Sequence, residues 1–271
     1  MAKRFIAIDA GKYAVKAASY DPETKITTKF SFSTKAGNGD FRDDAMEKHT
    51  YLAEINGTVY KIGNGARGDG ADLETSKQSE LHRICTLFAI AAFCSDDEED
   101  EVYVTVGLPA KEWAVVQKRE DFKEFLFKEN SYRINVKMSS ADVPTEKKFK
   151  IVKKFAFPES IGALFMDDSP AISKNSFYGV LDIGSLNLNA TVWQDGELIQ
   201  DVSITDELGA STLIQGLSQE LSAEFSRCDE RYVARLLAQP PTERYLKHSN
   251  GNTDIQERSR ELIQKYLQEH A

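Results

Sequence analysis

Two stretches of the chain carry one pattern. Residues 5–21 read FIAIDAGKYAVKAASYD and residues 178–195 read YGVLDIGSLNLNATVWQD. Aligned on Asp9 and Asp182, each has an aliphatic run, an Asp, one residue, a Gly (Gly11 or Gly184), and a second β-type run. Each also has an Ala (Ala17 or Ala190) at the same place in that second run. No other Asp-x-Gly triplet occurs in the sequence. A strand ending in a carboxylate beside a glycine lets backbone N–H groups approach an anion. Asp195-Gly196 between two β-rich runs adds a hairpin signal to the second copy. One copy opens each half of the chain. The expectation is a duplicated α/β fold, residues 1–160 and 161–271, with the two hairpins facing one cleft.

Composition limits the function classes. The 271 residues carry a net charge of −9, with 41% hydrophobic and 28% charged residues. That is an ordinary globular balance with length for a substantial core. No apolar run reaches membrane-span length, so no membrane role is expected. MAKRFIAID enters a strand directly, without signal-peptide architecture. The cytoplasm is therefore the expected location. Cys85, Cys94 and Cys228 form no CxxC pair, and the four histidines show no metal-ligand spacing. The acidic balance disfavours broad nucleic-acid binding by the chain itself. A nucleotide remains possible, held by backbone amides, a lysine and Mg²⁺.

Along the chain, residues 4–9, 13–20 and 26–32 read as strands, and 34–50 as a polar loop. Asn56-Gly57 is a hairpin turn by composition. Gly63-Asn64-Gly65-Ala66-Arg67-Gly68 matches G-x-G-x-x-G, but it follows an antiparallel hairpin. A dinucleotide fingerprint should instead join a parallel strand to its helix, so a loop is expected here. The Arg67-Gly68-Asp69 triplet is read the same way. Residues 76–94 read as a helix capped by Thr75 or Ser76, and Asp96–Glu101 as a solvated acidic loop. Val102–Val106 reads as a buried strand, 110–130 as an amphipathic helix, and 132–138 and 148–156 as strands. Lys147, Lys148, Lys150, Lys153 and Lys154 suggest that the last of these is a protected edge. Pro158 suits a helix first turn and would put Glu159 at a helix N-terminus. Residues 206–227 and 253–269 read as helices, separated by a break at Pro240-Pro241.

These motifs, in this order, resemble the actin/sugar-kinase/heat-shock-chaperone ATPase superfamily, and within it the bacterial plasmid-segregation actins of the ParM/StbA type. IDAGKYAVK resembles the first phosphate motif, VLDIGSLNLN the second, and FPESIGAL the connecting helix. TVYKIGNGA and VYVTVGLPAKEW resemble further segments of the ParM branch. The resemblance implies an actin-like, RNase H-like duplicated fold with an interdomain nucleotide cleft. It implies an ATPase using ATP or GTP with Mg²⁺. Asp9 and Asp182 would serve the metal, and Asp182 and Glu159 would position and polarise the attacking water. Gly11, Lys12, Lys16, Gly184, Ser185 and Gly209 would contact the nucleotide. The implied partners are further copies of the chain in a head-to-tail filament and a DNA-binding adaptor that links it to a plasmid. Two other readings stay open, a non-catalytic actin-like scaffold and a small-molecule kinase of the same superfamily. The family's later adenosine motif, a strand ending in paired glycines, has no counterpart, since Gly251 is the only glycine after Gly216.

Overall fold

The computed structural model describes residues 2–67, 77–96, 98–159, 161–165, 175–185, 187–206, 209–225, 228–248 and 251–269. The chain divides into two compact units, residues 1–180 with 191–203, and residues 181–190 with 204–271.

A nine-stranded mixed sheet forms the first unit. Its strands are β1 (Lys3–Ala10), β2 (Ala14–Tyr20), β3 (Thr27–Ser33), β4 (Ala36–Asn38), β5 (Thr50–Ile55), β6 (Thr58–Gly63), β7 (Glu99–Leu108), β8 (Ser131–Lys137) and β9 (Thr145–Pro158). Their spatial order is β3-β2-β1-β7-β9-β8-β5-β6-β4. β1, β7 and β9 run parallel at its centre. The flanking pairs β1–β2, β2–β3 and β5–β6 are antiparallel hairpins. Alternation along β1 and β2 puts Ile6, Ile8, Ala10, Val15 and Ala17 on the buried face. Helix α1 (Glu80–Ala91) covers that face with Leu87, Phe88 and Ile90. The Phe88 ring packs edge-on against Phe32, with centroids 5.1 Å apart. Asn56 and Gly57 both have positive φ, 52° and 75°, as the predicted tight turn requires.

Several local expectations are corrected. α1 starts at Glu80 and is capped by the Ser79 hydroxyl, while Thr75 and Ser76 lie outside the described residues. The 110–130 helix is two pieces, α2 (Ala110–Trp113) and α3 (Val116–Leu126). The loop at 34–50 contains β4, which pairs with β6. The acidic run is no open loop at its end, because Glu99–Glu101 belong to β7 and Asp100 is fully buried. Asp100 accepts from Arg4 Nε at 3.2 Å and from the Ser95 backbone N–H at 2.8 Å, which makes burial of its charge tolerable. The lysine-rich strand β9 is not an edge but lies between β7 and β8. Lys147 is buried, donating to the Cys94 carbonyl at 3.0 Å and pairing with Asp96.

The division between units cuts β10 (Phe177–Ile183) and β11 (Leu188–Gln194). In the first unit, β11 pairs with β12 (Glu197–Leu198) around the Asp195-Gly196 turn, whose φ values are 52° and 85°. In the second unit, β11 pairs with β13 (Ile204–Asp206), followed by α4 (Ala210–Glu224) and α5 (Glu230–Leu237). A hairpin of β14 (Tyr245–His248) and β15 (Gly251–Asp254) then leads into α6 (Gln256–Glu269). The predicted 206–227 helix is therefore shorter, because Asp206 ends β13. Leu217, Leu221, Val233, Leu246, Ile255 and Leu262 form this unit's core. α5 and the β14–β15 hairpin were not anticipated from the sequence. No described helix is long and apolar enough to cross a membrane.

Candidate functional site

Open α/β sheets bind ligands at the carboxyl ends of their parallel strands. Three groups of the first unit gather there. Asp9 is at the end of β1, Gly107 near the end of β7, and Glu159 immediately after β9. A Cβ on Gly107 would lie 3.6 Å from both Asp9 Oδ1 and Glu159 Cγ, so the two carboxyl side chains flank one glycine. The backbone N–H of Glu159 donates to the Leu108 carbonyl at 2.9 Å, which extends the β7–β9 register one residue further.

Lys77 joins the two acids. Its ammonium donates to Asp9 Oδ1 at 3.0 Å and forms an ion pair with Glu159. The Lys77 side chain is 7% exposed, Glu159 16% and Asp9 47%, so the cation is interior while Asp9 keeps an open flank. Burial works against the charge on Lys77, but the carboxylates of Glu159 and Asp9 outweigh it and hold the amine above the usual lysine range.

Next to this trio the β1–β2 turn is tightly fixed. The Thr34 hydroxyl donates to the Gly11 carbonyl at 2.5 Å, and the Thr34 N–H donates to Tyr13 O at 3.0 Å. Any Cβ at Gly11 would come within 2.8 Å of the Ala14 carbonyl, so only glycine fits this turn. Lys16 pairs across the strands with Asp9 and is exposed on the same face of the sheet. The Lys12 ammonium is buried. His82, in the first turn of α1, is 2% exposed, and its Nδ1 lies 2.7 Å from Ser79 Oγ. Burial, then Lys77 and Lys12, push its pKa down to about 4, so the ring is neutral at pH 7. His82 Nε2 has no hydrogen-bond partner among the described residues.

The second unit carries the other motif. β10 includes Asp182 and ends one residue before Gly184. The Gly184 N–H donates to the Asn187 carbonyl at 2.8 Å, and a Cβ there would lie 3.0 Å from that oxygen. The turn is stitched to α4, since Ala210 N–H donates to Gly184 O at 3.0 Å and Ser211 N–H to Ser185 O at 2.7 Å. Gly209 is the N-cap of α4 and supplies no side chain to close it. The first two helix amides are thus bonded to the carbonyls of Gly184 and Ser185, which ties this turn to the start of α4.

The predicted site residues fall into two groups, Asp9, Gly11, Lys12, Lys16 and Glu159 in one unit and Asp182, Gly184, Ser185 and Gly209 in the other. Glu159 does not begin a helix. Pro158 ends β9, and a five-residue 3-10 turn, Ile161–Phe165, stands where the connecting helix was expected. Lys77, Ser79, His82, Thr34 and Gly107 were not anticipated. The Ser79-Glu80 pair before an apolar run was a readable cap signal. Lys77 had none. Of the G-x-G-x-x-G segment, Gly63 ends β6 at φ 93°, residues 64–67 lie outside regular elements with the Gly65 N–H held by Thr50 Oγ1 at 2.8 Å, and Gly68 and Asp69 are outside the described residues. Burial pushes the Cys85 and Cys94 thiols up to about 12, which removes them as nucleophiles. Among the described residues no three His, Cys, Asp or Glu side chains gather as a metal cage.

The fold is of the actin-like α/β class, as its structural neighbours show. Among solved structures, a non-polymerisable quadruple mutant of pCBH ParM aligns with a TM-score of 0.70 at 16% identity, covering 98% of this chain and 82% of its own. The Alp12 filament structure aligns at 0.64 and 18% identity, covering 100% and 81%. Ta0583, an archaeal actin homolog, aligns in its complex with ADP at 0.73 and 13% identity, covering 97% and 78%. No curated protein sequence matches the chain. Residues 7–162, more than half of the chain, match the family described as actin like proteins, N-terminal domain. The chain belongs to the actin-like protein family.

Proposed function

We propose that the protein is a nucleotide-dependent, filament-forming ATPase of the plasmid-segregation type. One observation carries this reading. Asp9, Lys77 and Glu159 converge at the carboxyl ends of three parallel strands, beside a turn that only glycine can make. That is the equipment of phosphoryl transfer, in which positioning and charge neutralisation outweigh covalent chemistry. A second Asp-x-Gly strand and turn carries Asp182 and Gly184.

Divalent metal fits these residues as a water-shelled ion rather than a caged one. Asp9 offers a half-exposed carboxylate, and three carboxyl, thiol or imidazole ligands are not found together among the described residues. Asp9 and Asp182 would hold Mg²⁺ through its waters, and bound Mg²⁺ would neutralise phosphate charge. In this reading Gly11, Lys12 and Lys16 contact phosphate oxygens from the first unit, and Gly184, Ser185 and Gly209 from the second. Glu159 accepts a hydrogen bond from the attacking water and orients it. ATP is proposed in preference to GTP because ADP accompanies Ta0583. The filament-forming relatives favour self-assembly, and the net charge of −9 favours a separate DNA-binding adaptor over direct DNA contact.

Phosphate release and sedimentation, measured together in ATP and in ADP, test this. Hydrolysis with ATP-dependent pelleting is expected. Pelleting without hydrolysis would replace the reading with a non-catalytic scaffold. Phosphate transfer to a small acceptor would replace it with a kinase.

A further inference from the structure

The reading above assigns steps to Asp9 and Glu159 and none to Lys77. Its ammonium is interior and touches both acids, through Asp9 Oδ1 at 3.0 Å and an ion pair with Glu159. Asp9 and Glu159 together would place two negative charges around one glycine. Like charges side by side repel, and a cation between them offsets that repulsion. Lys77 lies on both acids and supplies that charge. The two acids are not equivalent toward it. Glu159 is largely enclosed with the lysine, whereas nearly half of the Asp9 side chain faces solvent. An incoming cation therefore reaches Asp9 first, and the Lys77–Glu159 pair is the more protected of the two.

We propose that Lys77 is the positioning cation of this site: it stands in for a divalent ion at Asp9, yields Asp9 to that ion, and stays paired with Glu159 to hold that carboxylate in place. The proposal deepens the metal–nucleotide reading and depends on it only for the identity of the ion. Its direct consequence is competition. While Lys77 occupies Asp9, a divalent cation must displace an ammonium to bind, so the nucleotide-free site is guarded against cations that arrive alone.

Mn²⁺ titration followed by electron paramagnetic resonance tests this on the full chain without nucleotide. The wild type and Lys77→Arg are expected to bind Mn²⁺ weakly. Lys77→Met is expected to bind it at least about tenfold more tightly, since an internal competitor with charge-assisted hydrogen bonds has gone. Asp9→Asn added to Lys77→Met should abolish the gain. The melting temperature of Lys77→Met should rise with Mn²⁺ while that of the wild type does not. A folded Lys77→Met chain that titrates like the wild type overturns the proposal and leaves Lys77 a structural ion pair. Should Lys77→Met not fold, Lys77→Met/Glu159→Gln is compared with Glu159→Gln alone, with tighter Mn²⁺ binding expected in the double variant and equal binding overturning the proposal. ATP binding by the wild type is measured beside these. Its absence would remove the nucleotide reading and leave the Mn²⁺ result standing, whereas ATP binding with unchanged Mn²⁺ titrations would remove the role of Lys77 alone.

Discussion

At the scale of single residues, Glu159 separates chemistry from structure. Because Glu159 is proposed to orient water, its replacement by Gln should lower hydrolysis roughly 10²–10⁴-fold and leave nucleotide affinity within a few fold. Turnover and nucleotide binding measured on the same preparation check this. Glu159→Ala should also lower the melting temperature, because breaking a buried ion pair costs about 3–5 kcal/mol when one charge is stranded. Asp9 remains beside Lys77, which places the expected loss at the low end. His82 provides a pH test. Its ring is held near a pKa of about 4, against 6.5 for the unperturbed group, by burial and by Lys77 and Lys12, with Asp9 acting the other way. The unfolded chain therefore binds more protons than the folded one between those values, and stability falls as pH drops through that window. The contribution reaches up to about 3 kcal/mol. Denaturant midpoints between pH 7 and pH 4 should show a shallower decline in His82→Gln than in the wild type. Equal slopes would mean that the imidazole is not the group responsible.

Elements show where sequence patterns carry far and where they stop. The β1–β2 hairpin, the Asn56-Gly57 turn and the Asp195-Gly196 turn were legible because their signals are local: alternation, and residues that tolerate positive φ. The role of β9 was not. Its lysines look like edge protection in isolation, and only a partner far away in the chain turns Lys147 inward toward Asp96 and the Cys94 carbonyl. Asp100 was misread for the same reason, since Arg4 lies 96 residues from it in sequence. Lys77 is the extreme case, a lone lysine in a polar run whose meaning comes wholly from Asp9 and Glu159. Of the candidate site, the two Asp-x-Gly loops were readable, and the cation that links the acids was not. Gly63 supplies a prediction at this scale. Its φ of 93° and the 2.2 Å that would separate a Cβ from the His49 carbonyl make Gly63→Ala costly. A loss of more than about 2 kcal/mol is expected from the left-handed backbone and the clash together. Nucleotide affinity should stay unchanged once folding is allowed for. A selective loss of nucleotide binding without loss of stability would contradict the loop reading of this glycine-rich segment.

For the whole molecule, the proposed ATPase cycle links the phosphate loops to assembly. A ligand shifts an equilibrium only by its difference in affinity for the two states, so ATP and ADP must differ in what they contact. The proposed γ-phosphate contacts, at Lys16 and at the Asp182 metal site, are where that difference belongs. Asp182→Ala should uncouple polymer turnover from ATP, giving either no polymer or one that persists after nucleotide is exhausted. A head-to-tail contact that does not close into a ring extends into a filament, which fits the self-association proposed here. The most direct test follows light scattering and phosphate release in one sample, for the wild type and for Glu159→Gln, with ATP, a non-hydrolysable analogue and ADP. Scattering of the wild type should rise with ATP and fall as phosphate appears, stay high with the analogue, and remain low with ADP. Glu159→Gln in ATP should behave as the wild type does in the analogue. Identical scattering in all three nucleotides, with the protein folded throughout, would contradict the nucleotide switch.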